Sequence, residues 1–170
     1  MKIALDVMGG DHAPLSNIEG AFSYLEKFSD DSVKITLVGD EPTIESIITK
    51  KFRPSTQIQI IHTTEVVTMN DRPSRILKTK PDSSLVRCIE LVKSGDADCI
   101  ISAGNTGALL SSSLFLLGKI SGIRRPAFAP YIPTDSGGLI LCDAGANADA
   151  RPQHLVQFAL MSTAYLEHLG

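Results

Sequence analysis

Short strand-like runs alternate with segments of helical period along most of this 170-residue chain. The strand-like runs occupy 2–7, 33–39, 57–62 and 98–102. Between them, apolar residues recur at three- and four-residue spacing, which is typical of helices that bury one face. Repeated alternation of this kind favours a parallel sheet with helices on both faces. We therefore predict an α/β fold with a doubly wound, mainly parallel, Rossmann-like sheet.

Local signals predict where several elements begin and end. Asp40 is placed to cap the second helix, and Gly95 is placed to end the helix before the fourth strand. The Pro- and Gly-containing stretch 118–138 interrupts the regular alternation and could be an inserted arm or an antiparallel segment. Two further strands are expected at 127–132 and 138–142.

A final helix is expected to begin at Pro152, because proline is tolerated in a first helical turn. Six residues at helical spacing are expected to form its inward face: Leu155, Phe158, Ala159, Ser162, Tyr165 and Leu166. We expect residues 1–170 to form a single α/β domain.

Composition excludes several classes of function. The net charge of −3 gives no basic surface of the kind that nucleic-acid binding requires. None of the cysteines Cys88, Cys99 and Cys142 belongs to a C-x-x-C pair, so we expect reduced thiols in a cytoplasmic protein. The longest apolar stretch, 108–117, is far shorter than the ~20 residues that span a bilayer, so any membrane contact should be peripheral. The sequence has neither convincing metal-ligand spacing nor a G-x-S-x-G motif.

The loop after the first strand combines two glycines with two carboxylates, at Asp6, Gly9, Gly10 and Asp11. Glycines allow positive φ and a close approach of the backbone to a ligand, so this loop could contact substrate. The alternative is a tight turn in which the aspartates cap the following helix. The spacing is not G-x-G-x-x-G, which argues against a dinucleotide site.

The loop after the fourth strand is the most informative. A buried strand ends and a helix begins within a few small and polar residues: Ser102, Gly104, Asn105, Thr106 and Gly107. Backbone N–H groups at a helix N-terminus, with hydroxyl and amide side chains beside them, are well suited to binding phosphate. A capped turn whose glycines only relieve strain is the alternative. We favour phosphate binding by these five residues.

A third loop again joins a buried strand to a helix. Asp143 and Asn147 offer polar groups there, and Arg151 could hold a charged substrate. His154 lies one turn into the helix, although a lone histidine is more often structural than catalytic.

Taken together, in order and over essentially the whole chain, the motifs resemble those of the bacterial phosphate acyltransferase family of phospholipid synthesis. The matching segments are D-V-M-G-G-D-H-A-P at 6–14, D-S-S at 82–84, S-A-G-N-T-G-A at 102–108, R-P-A at 125–127, D-A-G-A-N at 143–147 and P-Q-H-L-V-Q-F-A at 152–159. Three positions depart from the family pattern: Ala144 stands where we expect valine, Arg151 where we expect lysine and Gln153 where we expect glutamate.

The resemblance implies a fold related to the isocitrate and isopropylmalate dehydrogenases, used without a cofactor. It implies acyl transfer from acyl carrier protein to inorganic phosphate by a cytoplasmic homodimer with peripheral membrane contact. The acyl phosphate would then pass to a membrane glycerol-3-phosphate acyltransferase. Family members are about twice this length, so we expect the chain to be the N-terminal half, which alone could be inactive.

For this reaction Asn147 and His154 are the candidates for stabilising the oxyanion or the leaving group. Asp6, Asp11 and Asp143 are expected to orient hydrogen-bond donors rather than to act as nucleophiles. Two other functions are considered: a nicotinamide-dependent dehydrogenase on a similar fold, and a non-catalytic anion-binding half-domain.

Overall fold

The computed structural model describes residues 1–28, 30–135, 137–145, 147 and 149–169. Its backbone contacts group into two compact units, Met1–Leu117 and Gly118–Gly170. The first unit contains a four-stranded sheet and the second a two-stranded sheet. A single domain over residues 1–170 stays a prediction.

The elements of the first unit alternate as the sequence predicts. In chain order they are β1 Lys2–Asp6, α1 Leu15–Phe28, β2 Lys34–Gly39, α2 Glu41–Lys51, β3 Ile58–His62, a 3₁₀ turn Pro73–Arg75, α3 Ile76–Thr79, α4 Ser84–Ser94, β4 Cys99–Ser102 and α5 Thr106–Leu116. The second unit contains β5 Tyr131–Thr134, β6 Gly137–Ile140 and α6 Pro152–Leu169.

The four-stranded sheet is parallel throughout, in the order β3-β2-β1-β4. The chain moves outward from β1 through β2 to β3, and then returns to add β4 on the other side of β1. Strand order therefore reverses between β1 and β4. The predicted α/β class with a mainly parallel, doubly wound sheet is confirmed, and in such sheets ligands bind at the point of reversal.

Helices cover both faces of this sheet because its strands are apolar on both sides. On one face, Ile3, Leu5 and Leu37 pack with buried residues of α1 and α2, among them Phe22 and Ile44. On the other face, the buried cluster contains Ala4, Val38, Cys88 and Ala97. Apolar burial on two sides is what a parallel strand requires and explains the near-continuous apolar runs in the sequence.

Two predicted helix signals are confirmed. The carboxylate of Asp40 accepts a hydrogen bond from the Thr43 N–H (3.1 Å) and so caps α2. Gly95 ends α4 with φ of 82°, a left-handed conformation that glycine adopts without steric penalty.

The second unit differs from the predictions in detail. Its two strands pair antiparallel, as one interpretation of 118–138 allows, but β5 begins only at Tyr131 rather than at residue 127. On α6, Phe158 is buried as predicted, whereas Leu155 is 56% exposed. Tyr165 and Leu166 of the expected inward face are also exposed. Apolar residues occur around most of this helix, so their spacing alone predicts the buried face only in part.

Within the described ranges, no helix combines the length and the apolar character needed to cross a membrane.

The packing of α2 provides a test of this architecture. Ile44 is the buried residue of that helix and is fully enclosed in the core. Ile44→Ala should lower the free energy of unfolding by roughly 2–5 kcal/mol, through lost transfer energy and the cavity left behind. Urea unfolding measures this, with the exposed neighbour Glu45→Ala expected to stay within about 0.5 kcal/mol of the parent. Equal effects of the two substitutions would contradict the described packing.

Candidate active site

Two loops meet where the strand order reverses, and glycines form the contact. A Cβ atom on Gly9 would lie 3.0 Å from the Gly104 Cα and 2.6 Å from the Asp6 Oδ2. A Cβ on Gly104 would lie 3.1 Å from the Gly9 Cα. Gly10 has φ of 108°, and a Cβ there would lie 3.1 Å from the Ala103 Cβ. The structure therefore brings together the first two loops singled out in the sequence.

The Asp6 carboxylate lies beneath this contact and is almost fully buried. Its Oδ1 accepts hydrogen bonds from the Ser84 hydroxyl (2.6 Å) and the Met8 N–H (3.2 Å). Its Oδ2 accepts from the Ser102 hydroxyl (2.8 Å), whose oxygen in turn accepts from the Gly104 N–H (3.2 Å). Asp6 thus joins the ends of β1 and β4 to the start of α4.

Asn17 holds the first loop from the helix side. Its side-chain amide donates to the carbonyl oxygens of Val7 (3.0 Å) and Gly9 (2.8 Å). Asn17 has no signal in the sequence that indicates this role, because it lies outside the apolar face of α1 and belongs to no loop motif. Ser84 stands in the sequence only as part of the D-S-S segment at 82–84, and nothing local to that residue indicates its hydrogen bond to Asp6.

Asn105 has a structural task in addition to any role in binding. Its Oδ1 accepts a hydrogen bond from the Ala108 N–H (3.0 Å), which caps α5. Its Nδ2 donates to the carbonyl oxygens of Thr68 (3.1 Å) and Asp71 (3.4 Å). The side chain therefore fixes the loop before α3 against the N-terminus of α5.

The first turn of α5 presents backbone donors at the surface. Thr106 and Gly107 are exposed, and the first N–H groups of a helix have no acceptor within that helix. The Ala108 N–H is already used by Asn105, so the N–H groups of Thr106 and Gly107 are the donors best placed for an anion. Phosphate binding by Ser102, Gly104, Asn105, Thr106 and Gly107 stays a prediction.

An ion pair stabilises the loop that Asn105 holds. The Lys80 Nζ donates to the Asp71 Oδ2 (2.6 Å) and to the Val66 carbonyl oxygen (2.7 Å). The same carboxylate accepts from the N–H (2.7 Å) and the hydroxyl (2.9 Å) of Thr68. The hydrogen bond from Lys80, followed by that from the Thr68 N–H, lowers the pKa of Asp71 from 3.8 to about 2.

Removing the ammonium group tests this ion pair. In Lys80→Met the pKa of Asp71 should rise towards 3.8, which carboxyl NMR titration measures. Because the pKa of Asp71 is depressed in the folded chain, its contribution to stability is present above pH 4 and is lost as the pH falls towards 2. The stability difference between parent and variant should therefore shrink over that range. Arg87→Met, which removes the exposed Arg87–Glu90 pair, is the matched control and should leave the Asp71 titration unchanged.

The contact between the glycine loops gives a second prediction. Gly9→Ala should lower the free energy of unfolding by about 1–3 kcal/mol, because the added methyl group meets the Asp6 carboxylate and the Gly104 backbone. Gly20→Ala is the control: no atom lies within 4 Å of a Cβ at that helical position, and alanine there should stabilise by roughly 0.5–1 kcal/mol. Thermal or urea unfolding gives both values. A neutral Gly9→Ala would contradict the close approach.

In the second unit, the side-chain amide of Asn147 is already hydrogen-bonded to the protein. Its amide donates to the Pro126 carbonyl oxygen (3.1 Å) and the Asp143 Oδ2 (3.0 Å), and its backbone N–H donates to the same Asp143 oxygen (2.8 Å). Asp143 also accepts from the Phe128 N–H (3.0 Å). Both amide hydrogens of Asn147 are thus committed, and its catalytic role stays a prediction. Ala146 of this motif lies outside the described residues.

His154 is buried and caps the helix on which it lies. Its Nδ1 accepts a hydrogen bond from the Arg151 N–H (3.1 Å), so in the neutral ring the proton lies on Nε2. This hydrogen bond corresponds to one half of a capping box, with imidazole in place of the usual Glu or Gln. Arg151 itself is exposed, as is Asp11 in the first unit, and their contacts with substrate stay predictions.

The cysteines and the potential metal ligands of the described residues can be taken together. All three cysteines are free. Burial, with a smaller effect from the negative charge of Asp6, strongly raises the pKa of the Cys88 thiol. No group of three or more described His, Cys, Asp or Glu side chains is arranged to hold a metal ion.

Comparison with known proteins places the chain in a family. The family described as "Fatty acid synthesis protein" matches residues 1–170. The phosphate acyltransferase of Geobacillus sp. (strain WCH70) is 51% identical over 168 residues, which is 98% of this chain and 49% of that protein. The phosphate acyltransferase of Bacillus subtilis (strain 168) is 48% identical over 170 residues, 99% of this chain and 50% of that protein. The phosphate acyltransferase of Listeria monocytogenes serovar 1/2a is 48% identical over 168 residues, which is 98% of this chain and 48% of that protein.

The chain belongs to the fatty acid synthesis protein family. The resemblance inferred from the loop motifs is therefore confirmed, and it extends over nearly the whole chain. The chain spans about half the length of the curated relatives it matches.

Proposed function

We propose that the protein containing this chain is an acyltransferase that forms acyl phosphate from acyl carrier protein thioesters and inorganic phosphate, for phospholipid synthesis. One observation carries the proposal. About half of the residues are identical to those of proteins named phosphate acyltransferase, and the match covers nearly the whole chain. The loops that meet at the reversal of strand order lie within the matched region, so the relatives share the segment that would bind phosphate.

The geometry of the first unit supports phosphate as the nucleophile. A parallel sheet binds ligands beyond the carboxyl ends of its strands, and the Gly9–Gly104 contact lies at that edge. The exposed N–H groups of Thr106 and Gly107 begin α5, where the helix dipole favours an anion. Phosphate bound there would be fixed by backbone groups that need no rearrangement.

In the proposed reaction a phosphate oxygen attacks the carbonyl carbon of the thioester. A carbon–oxygen bond forms, the carbon–sulfur bond breaks, and the electron pair leaves on the pantetheine sulfur as thiolate. Phosphate is already anionic near neutral pH, so the protein supplies orientation and oxyanion stabilisation rather than a strong base.

The candidates for stabilising the reacting thioester come from the third loop and the helix that follows it. Asn147 and His154 are our candidates for the oxyanion or the leaving thiolate, with Arg151 holding a charged part of the substrate. Asp143 would keep Asn147 in place through the two hydrogen bonds between them. For Asn147 to donate to an oxyanion, one of its present amide hydrogen bonds must be exchanged for the substrate oxygen.

The wider context of this function is also part of the proposal. We place the protein in the cytoplasm as a homodimer with peripheral membrane contact, with this chain as the N-terminal half. Acyl carrier protein would deliver the substrate, and a membrane glycerol-3-phosphate acyltransferase would consume the product. A nicotinamide-dependent dehydrogenase is not favoured, because the first loop lacks G-x-G-x-x-G and the matched relatives are named acyltransferases.

Trapping of the product tests the reaction directly. We expect the intact protein, incubated with acyl carrier protein thioester, phosphate and hydroxylamine, to give acyl hydroxamate in an amount that depends on phosphate. The same assay on the 170-residue chain measures what this half contributes alone. Hydroxamate that forms equally well without phosphate would overturn the proposal.

Asn105→Ala tests the location of the phosphate site. Loss of the α5 cap and of the anchor to the 68–71 loop should misplace the first-turn N–H groups. We expect the KM for phosphate to rise about tenfold, equivalent to one good hydrogen bond. Asn70→Ala, an exposed asparagine in that loop, is the control and should saturate as the parent does. Unchanged phosphate saturation in Asn105→Ala would exclude this location.

A further inference from the structure

Asp6 combines deep burial with an unusual set of partners. The side chain is 2% exposed, yet no ion pair to it exists among the described residues. Its partners are instead two serine hydroxyls and one backbone N–H. A buried carboxylate without a cation needs several such donors, because its desolvation is otherwise uncompensated.

The hydrogen bonds on one side of Asp6 lead directly to the proposed anion site. The Gly104 N–H donates to the Ser102 oxygen, and the Ser102 hydroxyl donates to the Asp6 Oδ2. The Ser102 hydrogen is therefore directed at Asp6 rather than at a ligand. Gly104 lies two residues after Ser102 in the chain and two residues before Thr106, where α5 begins. The Ser102 hydroxyl has a single hydrogen, which it donates to Asp6, so its oxygen is the acceptor for the Gly104 N–H.

The hydrogen bond on the other side of Asp6 leads away from that site. The Ser84 hydroxyl donates to the Asp6 Oδ1 and ties it to the first turn of α4. Burial of Ser84 and its short 2.6 Å hydrogen bond make this side a rigid support. Asp6 therefore connects the start of α4, through Ser84, to the loop before α5, through Ser102.

We propose that Asp6 is the positioning residue of the phosphate site, acting through Ser102 and Gly104 on the first-turn N–H groups of α5. The inference rests on the proposed function, and it assigns Asp6 and Ser102 to orientation rather than to contact with substrate. An amide at position 6 would present hydrogens to one serine hydroxyl and reverse that hydrogen bond. The turn at Gly104 would then lose its fixed geometry while the sheet stayed paired.

Binding of inorganic phosphate measures the effect without requiring turnover. Titration calorimetry of the intact protein should show that Asp6→Asn and Ser102→Ala each weaken phosphate binding about tenfold, as expected for loss of one orienting hydrogen bond. In the acyl transfer assay, the KM for phosphate should rise by a similar factor while the KM for the acyl donor stays unchanged. Ser102→Thr keeps the hydroxyl and should restore phosphate affinity to within about threefold of the parent.

Ser83→Ala is the matched structural control. Ser83 is also a buried serine next to the start of α4, but its hydroxyl donates to the Lys80 carbonyl oxygen (2.8 Å) and not to Asp6. Its loss should lower the free energy of unfolding by about 1 kcal/mol and leave phosphate affinity unchanged. If Asp6→Asn does not fold, the phosphate affinity of Ser102→Ala alone tests the proposal, because that substitution leaves the Asp6–Ser84 hydrogen bond in place.

The outcomes separate this inference from the proposed function. Parent-like phosphate affinity in Ser102→Ala, or equal weakening in Ser83→Ala, would overturn the role of Asp6. An intact protein that does not bind phosphate would overturn it as well. Selective weakening in Asp6→Asn and Ser102→Ala, in a protein that forms no acyl hydroxamate, would support the positioning role and refute the acyl transfer reaction.

Discussion

At the reversal of strand order, the loops after β1 and β4 approach until their backbones are in contact. This close approach is possible because neither Gly9 nor Gly104 has a side chain. A methyl group on either glycine would lie about 3 Å from the backbone of the other. The buried Asp6 carboxylate lies directly beneath and closes the remaining space. The end of β4, the turn into α5 and the exposed first-turn N–H groups all take their positions from this contact.

Most polar side chains near this contact interact with the protein itself. Asp6, Ser84 and Ser102 bind one another, Asn17 holds backbone carbonyl oxygens, and Asn105 caps a helix while anchoring a loop. Thr106 and Gly107 at the start of α5 are exposed, and the first N–H groups of a helix have no acceptor within that helix. Such donors lose little conformational entropy on binding and need no reorganisation as charge develops, which is the basis of electrostatic preorganisation. In the proposed phosphate site, side chains therefore position the loops, and backbone N–H groups bind the anion.

The sequence was most informative where the physical cause was local. The cap at Asp40 and the left-handed end at Gly95 depend on neighbouring residues and could be predicted, as could the apolar strands that specify a parallel sheet. The link from Ser84 to Asp6 spans 78 positions and has no local signal. The buried face of α6 was predicted only in part, because apolar residues surround that helix. Some polar side chains of the loops, such as Asn105, hydrogen-bond within the protein rather than remaining free for a ligand. Only the three-dimensional structure shows which ones do so.

The strand order also determines when the sheet can be completed during synthesis. β1 precedes the other strands of this sheet in the chain and lies in its interior, between β2 and the much later β4. The hydrogen bond from the Lys2 N–H to Asp98 joins positions 96 residues apart. At roughly 5–20 residues per second, the β4 side of β1 stays unpaired for roughly 5–20 s after that strand is made. The most buried strand of the first unit is therefore the one that the nascent chain must protect longest from unwanted pairing.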